Sequence, residues 1–312
     1  MANLIAIPIA LALDAVAGEP PFLWRRIGHP VAWMGRVIAA ADHRLNVGHG
    51  RKLRGVLTLC AIMVIFTGPT IALAALLSDL PLLLNVLITA ALGSVFIAHR
   101  SLYDHVHAVI AAPDMEGARA ELAMIVGRDV ASLDEAGVAG AALETLGESL
   151  SDGVVAPVFW FALLGLPGII AYKVINTADS MIGHCTERHQ DFGWATARVD
   201  DLVNLVPARL TALLIGLCAP HITSHHRAIR QDAARHVSPN AGWPEAALSH
   251  ALGVAIGGPR RYGARHVDGV WLNEGGRAAT FGDVARGLTL TTRVGLLQAT
   301  LYAALAAAFA IL

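Results

Sequence analysis

Charge is what this sequence has least of. Only 15% of its 312 residues are Asp, Glu, Lys or Arg, against roughly 25% in ordinary soluble domains. With 55% hydrophobic residues and a mean hydropathy of +0.56, the composition is that of a membrane protein. The charges that remain nearly cancel, at a net charge of -1, so a basic nucleic-acid footprint is missing. Cys60, Cys185 and Cys218 are odd in number and form no CxxC pair; they read as packing residues. The absence of GxxxxGK excludes a P-loop, and no GxGxxG follows a strand, which excludes a Rossmann nucleotide site. No HExxH or Cys/His cluster has zinc spacing.

What the chain does have is apolar runs of about 20 residues, the length that crosses a bilayer. Membrane helices are expected near 2–17, 55–77, 81–98, 154–172, 202–219 and 288–312. The fold class implied is an all-α polytopic bundle, one membrane-embedded domain over 1–312, with amphipathic and re-entrant helices and cytoplasmic loops. The first run has no basic n-region and is not a secretory signal. It carries Asp14 near its end, either a functional carboxylate or an interfacial cap. Between Gly18 and Arg54 lie seven of the 23 basic residues, which puts this loop in the cytoplasm. His29–Gly35 reads as a short amphipathic segment in which His29, before a proline, is structural. Eight Arg fall between Pro220 and Gly287, so that portion is cytoplasmic too. There Pro239, Asn240 and Gly242 dictate a turn, Pro244 opens a helix, and glycines from Gly257 to Gly263 end it. The run from Val154 is interrupted by Pro157, Gly165, Pro167 and Gly168, as in a re-entrant or kinked element lining a cavity.

The organising stretch runs from Tyr172 to Arg209. Read as helix, Asn176, Asp179, Ser180 and Gly183 fall at i, i+3, i+4 and i+7 and share one face. A polar stripe on an apolar helix must meet water, a ligand or another polar stripe, because each unpaired buried polar group costs a few kcal/mol. Arg198, Asp200, Asp201 and Asn204 supply the second stripe. Upstream, Glu144, Glu148 and Asp152 recur every four residues, where like charges repel unless neutralised by a cation or solvated on an open face. If the flanking runs both span the bilayer, residues 173–201 lie outside. If both are re-entrant, every polar segment shares the cytoplasmic face, and the Pro/Gly interruptions with Arg209 favour this second arrangement.

Carboxylates, amides and a few cations, namely Arg128, Lys173, Arg188 and Arg198, suit Mg²⁺ bridging a phosphorylated substrate. Two function classes fit: a Mg²⁺-dependent membrane enzyme, or a transporter with intramembrane ion sites. The large cytoplasmic loops favour the enzyme. Prenyl and phospho-alcohol transferases also use paired acids in membranes, yet the further acids of NDxxDxxxD are missing after Asn176, and Asp152-Gly153 lacks an Ala-Arg continuation.

Several motifs occur together in one order: Asp14 with Gly-Glu-Pro at 18–20, His29-Pro30 with Met34-Gly35, Gly-Arg-Asp at 127–129, and Glu148 with Ser-Asp-Gly at 151–153. Asn-Thr-Ala-Asp-Ser-Met at 176–181, Ala-Arg-Val-Asp-Asp at 197–201 with Asn204, Pro-Ala-Arg at 207–209 and Ser-Pro-Asn-Ala-Gly at 238–242 continue the pattern. In this the chain resembles the adenosylcobinamide-phosphate synthases of cobalamin biosynthesis, the CobD/CbiB family, over nearly its whole length, with departures at Ser149 and His184. The resemblance implies a multi-pass enzyme of the bacterial inner (cytoplasmic) membrane. It would join a propionate carboxylate of adenosylcobyric acid to (R)-1-aminopropan-2-ol or its O-phosphate, a C–N ligase reaction using ATP and Mg²⁺, with the corrinoid as substrate. Asp179, Asp200 and Asp201, with Glu148 and Asp152 as a second cluster, are the metal candidates it implies. Lys173, Arg128, Arg188 and Arg198 would hold phosphates, Asn176, Ser180 and Asn204 would position substrate, and the turn at Ser238 and Asn240 would fold over the corrin amides. Lipid is the one certain partner expected, with room for self-association or for other enzymes of the pathway, and no nucleic acid.

Overall fold

A computed structural model of the chain describes residues 2–184, 186–262 and 265–311. Cys185 and Gly263 therefore lie outside the described residues. The fold is helical, as the composition requires. In chain order the helices are α1 (Ala2–Ala17), α2 (Pro21–Ile27), α3 (Pro30–Leu45), α4 (Arg51–Ser78), α5 (Leu82–Ser94), α6 (His99–Ala111) and α7 (Met115–Ala123). They continue with α8 (Glu135–Leu150), α9 (Ala156–Ile182), α10 (Trp194–Val203), α11 (Leu205–Cys218), α12 (His226–Arg235), α13 (Gly242–Leu252) and α14 (Phe281–Ile311). Among the described residues, four helical stretches are long and apolar enough to cross a membrane, or six if each of two bent pairs, α1 with α2–α3 and α10 with α11, is one crossing. The chain is a multi-pass membrane protein.

Large apolar side chains point outward along these helices: Val64, Ile65, Ile71 and Leu76 on α4, and Leu82, Leu83 and Leu84 on α5, are all exposed. In water such a surface would aggregate; in lipid it is the required exterior. The chain divides into two compact units, each assembled from separated stretches. The first comprises Met1–Ala98, Ala156–Asn204 and Ala299–Leu312, the second His99–Val155 and Leu205–Gln298.

In the first unit α1 packs on α5, and α4 on α9. The interruption expected in the apolar run from Val154 is real. Gly165 breaks α9 with φ +67°, and its backbone approaches the Asn3 side chain so closely that a Cβ there would collide with it. Glycine meets both demands, a left-handed backbone and no side chain. His29 is structural, as expected: its Nδ1 accepts the Val31 N–H at 3.2 Å and caps α3, which Pro30 opens. The amphipathic segment is longer than the seven residues expected, because α3 continues to Leu45.

In the second unit α13 packs against α8, α11 and α12. Pro244 sits in its first turn, as the sequence indicates, but α13 stops earlier than expected, at Gly253 with φ +69°. The glycines at 257 and 258 belong instead to short antiparallel pairings, β1 (Ile256–Gly257) with β4 (Trp271–Leu272), beside β2 (Arg260–Tyr262) with β3 (Arg265–Val267). Between α8 and α9, Ser151–Val155 forms a turn of π-helix carrying Asp152.

Candidate active site

Residues Tyr172 to Asn204 fold back on themselves so that α9 and α10 pack together. The expected polar stripes therefore meet. Tyr172, fully buried on α9, donates its hydroxyl to Asn204 Oδ1 at 3.0 Å, and Asn204 Nδ2 donates to Asp200 Oδ2 at 3.0 Å. This relay fixes Asp200 from behind, at a cost offset by hydrogen bonds that leave the Asn204 amide satisfied. It also sits at the end of α10: the run expected from Leu202 is divided at Asn204, the C-cap of that helix.

The other Asp200 oxygen is different. Asn176 approaches from α9, yet Oδ1 is buried with no hydrogen bond of normal geometry. The strongest charged neighbour of Asp200 is Asp179, which in turn faces His184 and Asp201. Gly183 is what makes room for the Asp179 carboxylate, since a Cβ at that position would overlap Asp179 Oδ1. Carboxylates converging in a half-buried place repel one another, and a bound cation is what such an arrangement favours.

Mg²⁺ fits these residues. Among the described residues no three His, Cys, Asp or Glu side chains form a ready-made metal cage. Mg²⁺ rarely uses one, taking instead one or two carboxylates, several waters and substrate phosphate oxygens. Asp179 and Asp200 are the residues that would hold the ion in that mode.

The remaining expected residues divide. Ser180 donates its hydroxyl to the Asn176 carbonyl at 2.9 Å, so it is engaged on its own helix. Arg198 reaches Asp201 at 4.0 Å and is 70% exposed, a weak surface pair. Lys173 is half-buried on α9 near His29. Arg188 is committed to Asp42 through Nε at 3.1 Å and Nη2 at 2.6 Å. In the first unit, then, Asn176, Asp179, Asp200, Asp201 and Asn204 come together, whereas Arg188 ties its segment to α3.

The second unit holds the others. Arg128 bonds Glu144 at 2.8 Å with both side chains about nine-tenths buried, so the acidic repeat at 144, 148 and 152 is not a uniformly solvated face. Glu148 lines a cavity of about 210 Å³ with Arg128, Glu144, His236, Ser238 and Glu245. Asp152 sits on the π turn. Ser238 Oγ accepts the N–H groups of Asn240 and Ala241, which sets the expected turn, and Asn240 Oδ1 accepts from Arg209 at 3.4 Å. Glu245 and His236, 3.7 Å apart, were not singled out from sequence. Glu245 follows a helix-opening proline, where an acid is ordinary, and only its burial at 3% exposure distinguishes it.

Comparison with known proteins places the chain in a family. The model of the CobD/Cbib protein family matches residues 7–291. The chain belongs to the CobD/CbiB family. It is 50% identical over 292 residues to the cobalamin biosynthesis protein CobD of Rhodobacter capsulatus, covering 91% of each chain. The CobD of Rhizobium meliloti (strain 1021) is 44% identical over 301 residues, at 92% of each, and that of Brucella suis biovar 1 (strain 1330) is 44% identical over 311 residues, again at 92% of each. No solved structure matches the chain. Family membership makes the protein an enzyme of cobalamin biosynthesis, as the order of motifs led one to expect, and the matched region contains both the α9–α10 centre and the 210 Å³ cavity.

Proposed function

We propose that the chain is an adenosylcobinamide-phosphate synthase of the bacterial inner membrane, a C–N ligase joining adenosylcobyric acid to (R)-1-aminopropan-2-ol or its O-phosphate with ATP and Mg²⁺. The observation that carries the reading is the convergence of the Asp179 and Asp200 carboxylates beside Asn176, in a member of this family. A carboxylate does not condense with an amine in water until one of its oxygens becomes a leaving group. In the proposed reaction the propionate oxygen attacks the γ-phosphorus of ATP and ADP leaves. The amine then attacks the acyl carbon, inorganic phosphate departs and the nitrogen loses a proton. Mg²⁺, when bound, would shield the phosphate charge during these transfers.

The chain's own residues contribute position. Asp179 and Asp200 would hold the metal, with Asp201 beside them. Tyr172 and Asn204 keep Asp200 pointed at the centre, and Asn176 and Lys173 stand on the same helix to orient substrate oxygens. The test is ADP release by purified protein in detergent. A synthase releases ADP only when the corrinoid carboxylate and the amine are both present. Release that ignores either substrate, or substrate-dependent ion flux in proteoliposomes without amide product, would replace this reading with a hydrolase or a transporter.

A further inference from the structure

In the first unit the chain turns sharply where α1 ends. α1 packs against α5, which lies in a stretch long and apolar enough to cross a membrane, and the α2–α3 segment meets α1 at 97°. A segment at right angles to a crossing helix runs in the plane of the membrane surface. The corner between α2 and α3 is braced. The Trp33 indole donates to the Ile27 carbonyl at 3.0 Å, and it lies so close to Gly28, at φ +73°, that a Cβ there would come within 2.9 Å of the ring nitrogen. α2 is thereby held to α3 although it buries no residue of its own. Met34 and Ile38, on another side of α3, are fully buried where that helix packs on α4 and α9.

The outward face of α2–α3 combines two kinds of side chain. Phe22, Ile27 and Trp33 are exposed, an apolar load that water disfavours and a lipid interface accepts. Val16, at the end of α1, is exposed too, so the lipid-facing exterior of that helix reaches the corner. Arg25, Arg26 and Arg36 stand exposed on the same segment. No Asp or Glu occurs from Pro20 to Ala41, and among the described residues none of these three arginines pairs with a carboxylate. A guanidinium is a fork of donors that matches phosphate oxygens. Three unopposed positive charges also select lipids of net negative charge over zwitterionic ones, whose own ammonium groups repel them. We propose that the α2–α3 face docks on the headgroups of anionic phospholipids, with Phe22, Ile27 and Trp33 seated at the boundary of headgroup and acyl chain and Arg25, Arg26 and Arg36 on the phosphate oxygens. This surface stands apart from the carboxylates of α9 and α10 and does not rest on the synthase reading.

The test uses the full-length protein in nanodiscs of mixed phosphatidylcholine and phosphatidylglycerol. A phosphatidylglycerol probe with a photoreactive diazirine on its headgroup is crosslinked, and the labelled peptides are mapped. In wild type, peptides from Pro21–Leu45 are expected to carry label, and unlabelled phosphatidylglycerol should compete where phosphatidylcholine and inorganic phosphate do not. Combining Arg25→Gln, Arg26→Gln and Arg36→Gln should cut that labelling at least roughly fivefold, the scale of one basic residue at an anionic surface. Combining Arg25→Lys, Arg26→Lys and Arg36→Lys keeps the charge and should keep most of the label. Undiminished labelling in the Gln variant, or an equal loss in the Lys variant, overturns the proposal. So does a wild type whose Pro21–Leu45 peptides take no label, the result expected if this face meets a protein instead. Competition by inorganic phosphate would reduce the face to a site for the free anion and overturn it as a membrane dock.

Discussion

In the second unit, among the described residues, three of the four buried acids are matched with arginines, Glu144 with Arg128, Asp232 with Arg235, and Asp283 with Arg277 and Arg286, while Glu245 faces His236 at 3.7 Å. In the first, Asp200 has another carboxylate, Asp179, as its strongest charged neighbour, and the groups bonded to it are the neutral amides of Asn204 and Asn176. Matched acids are scaffold, because breaking such a pair leaves a buried charge and costs stability. Acids set against each other are strained by their own field, and that strain is relieved only when something positive arrives. Substitutions should therefore act in opposite senses in the two regions, on turnover in one and on stability in the other.

The largest effect is expected at Asp179. Asp179→Asn keeps the shape and removes the charge, so amide formation should fall by roughly 10²-fold or more, while the protein still folds in membranes and its unfolding midpoint holds or rises. Wild-type turnover in Asp179→Asn would end the metal assignment. Next comes Arg128→Ala, which strands Glu144 and should destabilise the protein by about 3 kcal/mol, seen as a lowered thermal midpoint in detergent. Adding Glu144→Gln should recover part of that loss; if the double variant is worse than the single, the pair is not the scaffold claimed here.

These two regions were unequally legible in the sequence. The α9 stripe could be read because Asn176, Asp179 and Gly183 follow a single helix's periodicity, a local signal. The break at Gly165 was equally local, a cluster of glycine and proline in an apolar run. By contrast, the 210 Å³ cavity gathers Arg128, Glu148, His236 and Glu245 from segments about 100 residues apart, and no periodicity records such an encounter. Nor could the strands near Gly257 be seen, since pairings of two or three residues are too short to alternate. Arg188 looked like a phosphate ligand for want of any local partner; its partner, Asp42, is 146 residues away.

Smaller changes sharpen the contrast. Tyr172→Phe deletes one end of the relay and should cost about 1 kcal/mol of stability, but because Asn204 then holds Asp200 less firmly, turnover should drop more than stability does. Equal, minor effects on both would demote the relay to packing. For the matched acids the readout is pH. Burial alone would push the Asp232 carboxyl up, but the Asn273 N–H at 2.8 Å, Arg235 and His250 together hold it below the ordinary carboxylate value of 3.8. Its contribution to stability is thus complete above pH 3.8 and lost as pH falls through the lowered folded value. A thermal midpoint followed from pH 5 downward, over on the order of three pH units, should show that loss in wild type and a shallower one in Asp232→Asn.

The most direct test of the difference between the two regions uses Mn²⁺ in place of Mg²⁺, counted by electron paramagnetic resonance on purified protein. Wild type should hold the ion, Glu144→Gln should hold it as well, and Asp200→Asn should bind it at least roughly tenfold more weakly, the scale of one lost charged ligand. Undiminished Mn²⁺ binding in Asp200→Asn, or its loss in Glu144→Gln instead, would contradict the placement of the reaction centre between α9 and α10.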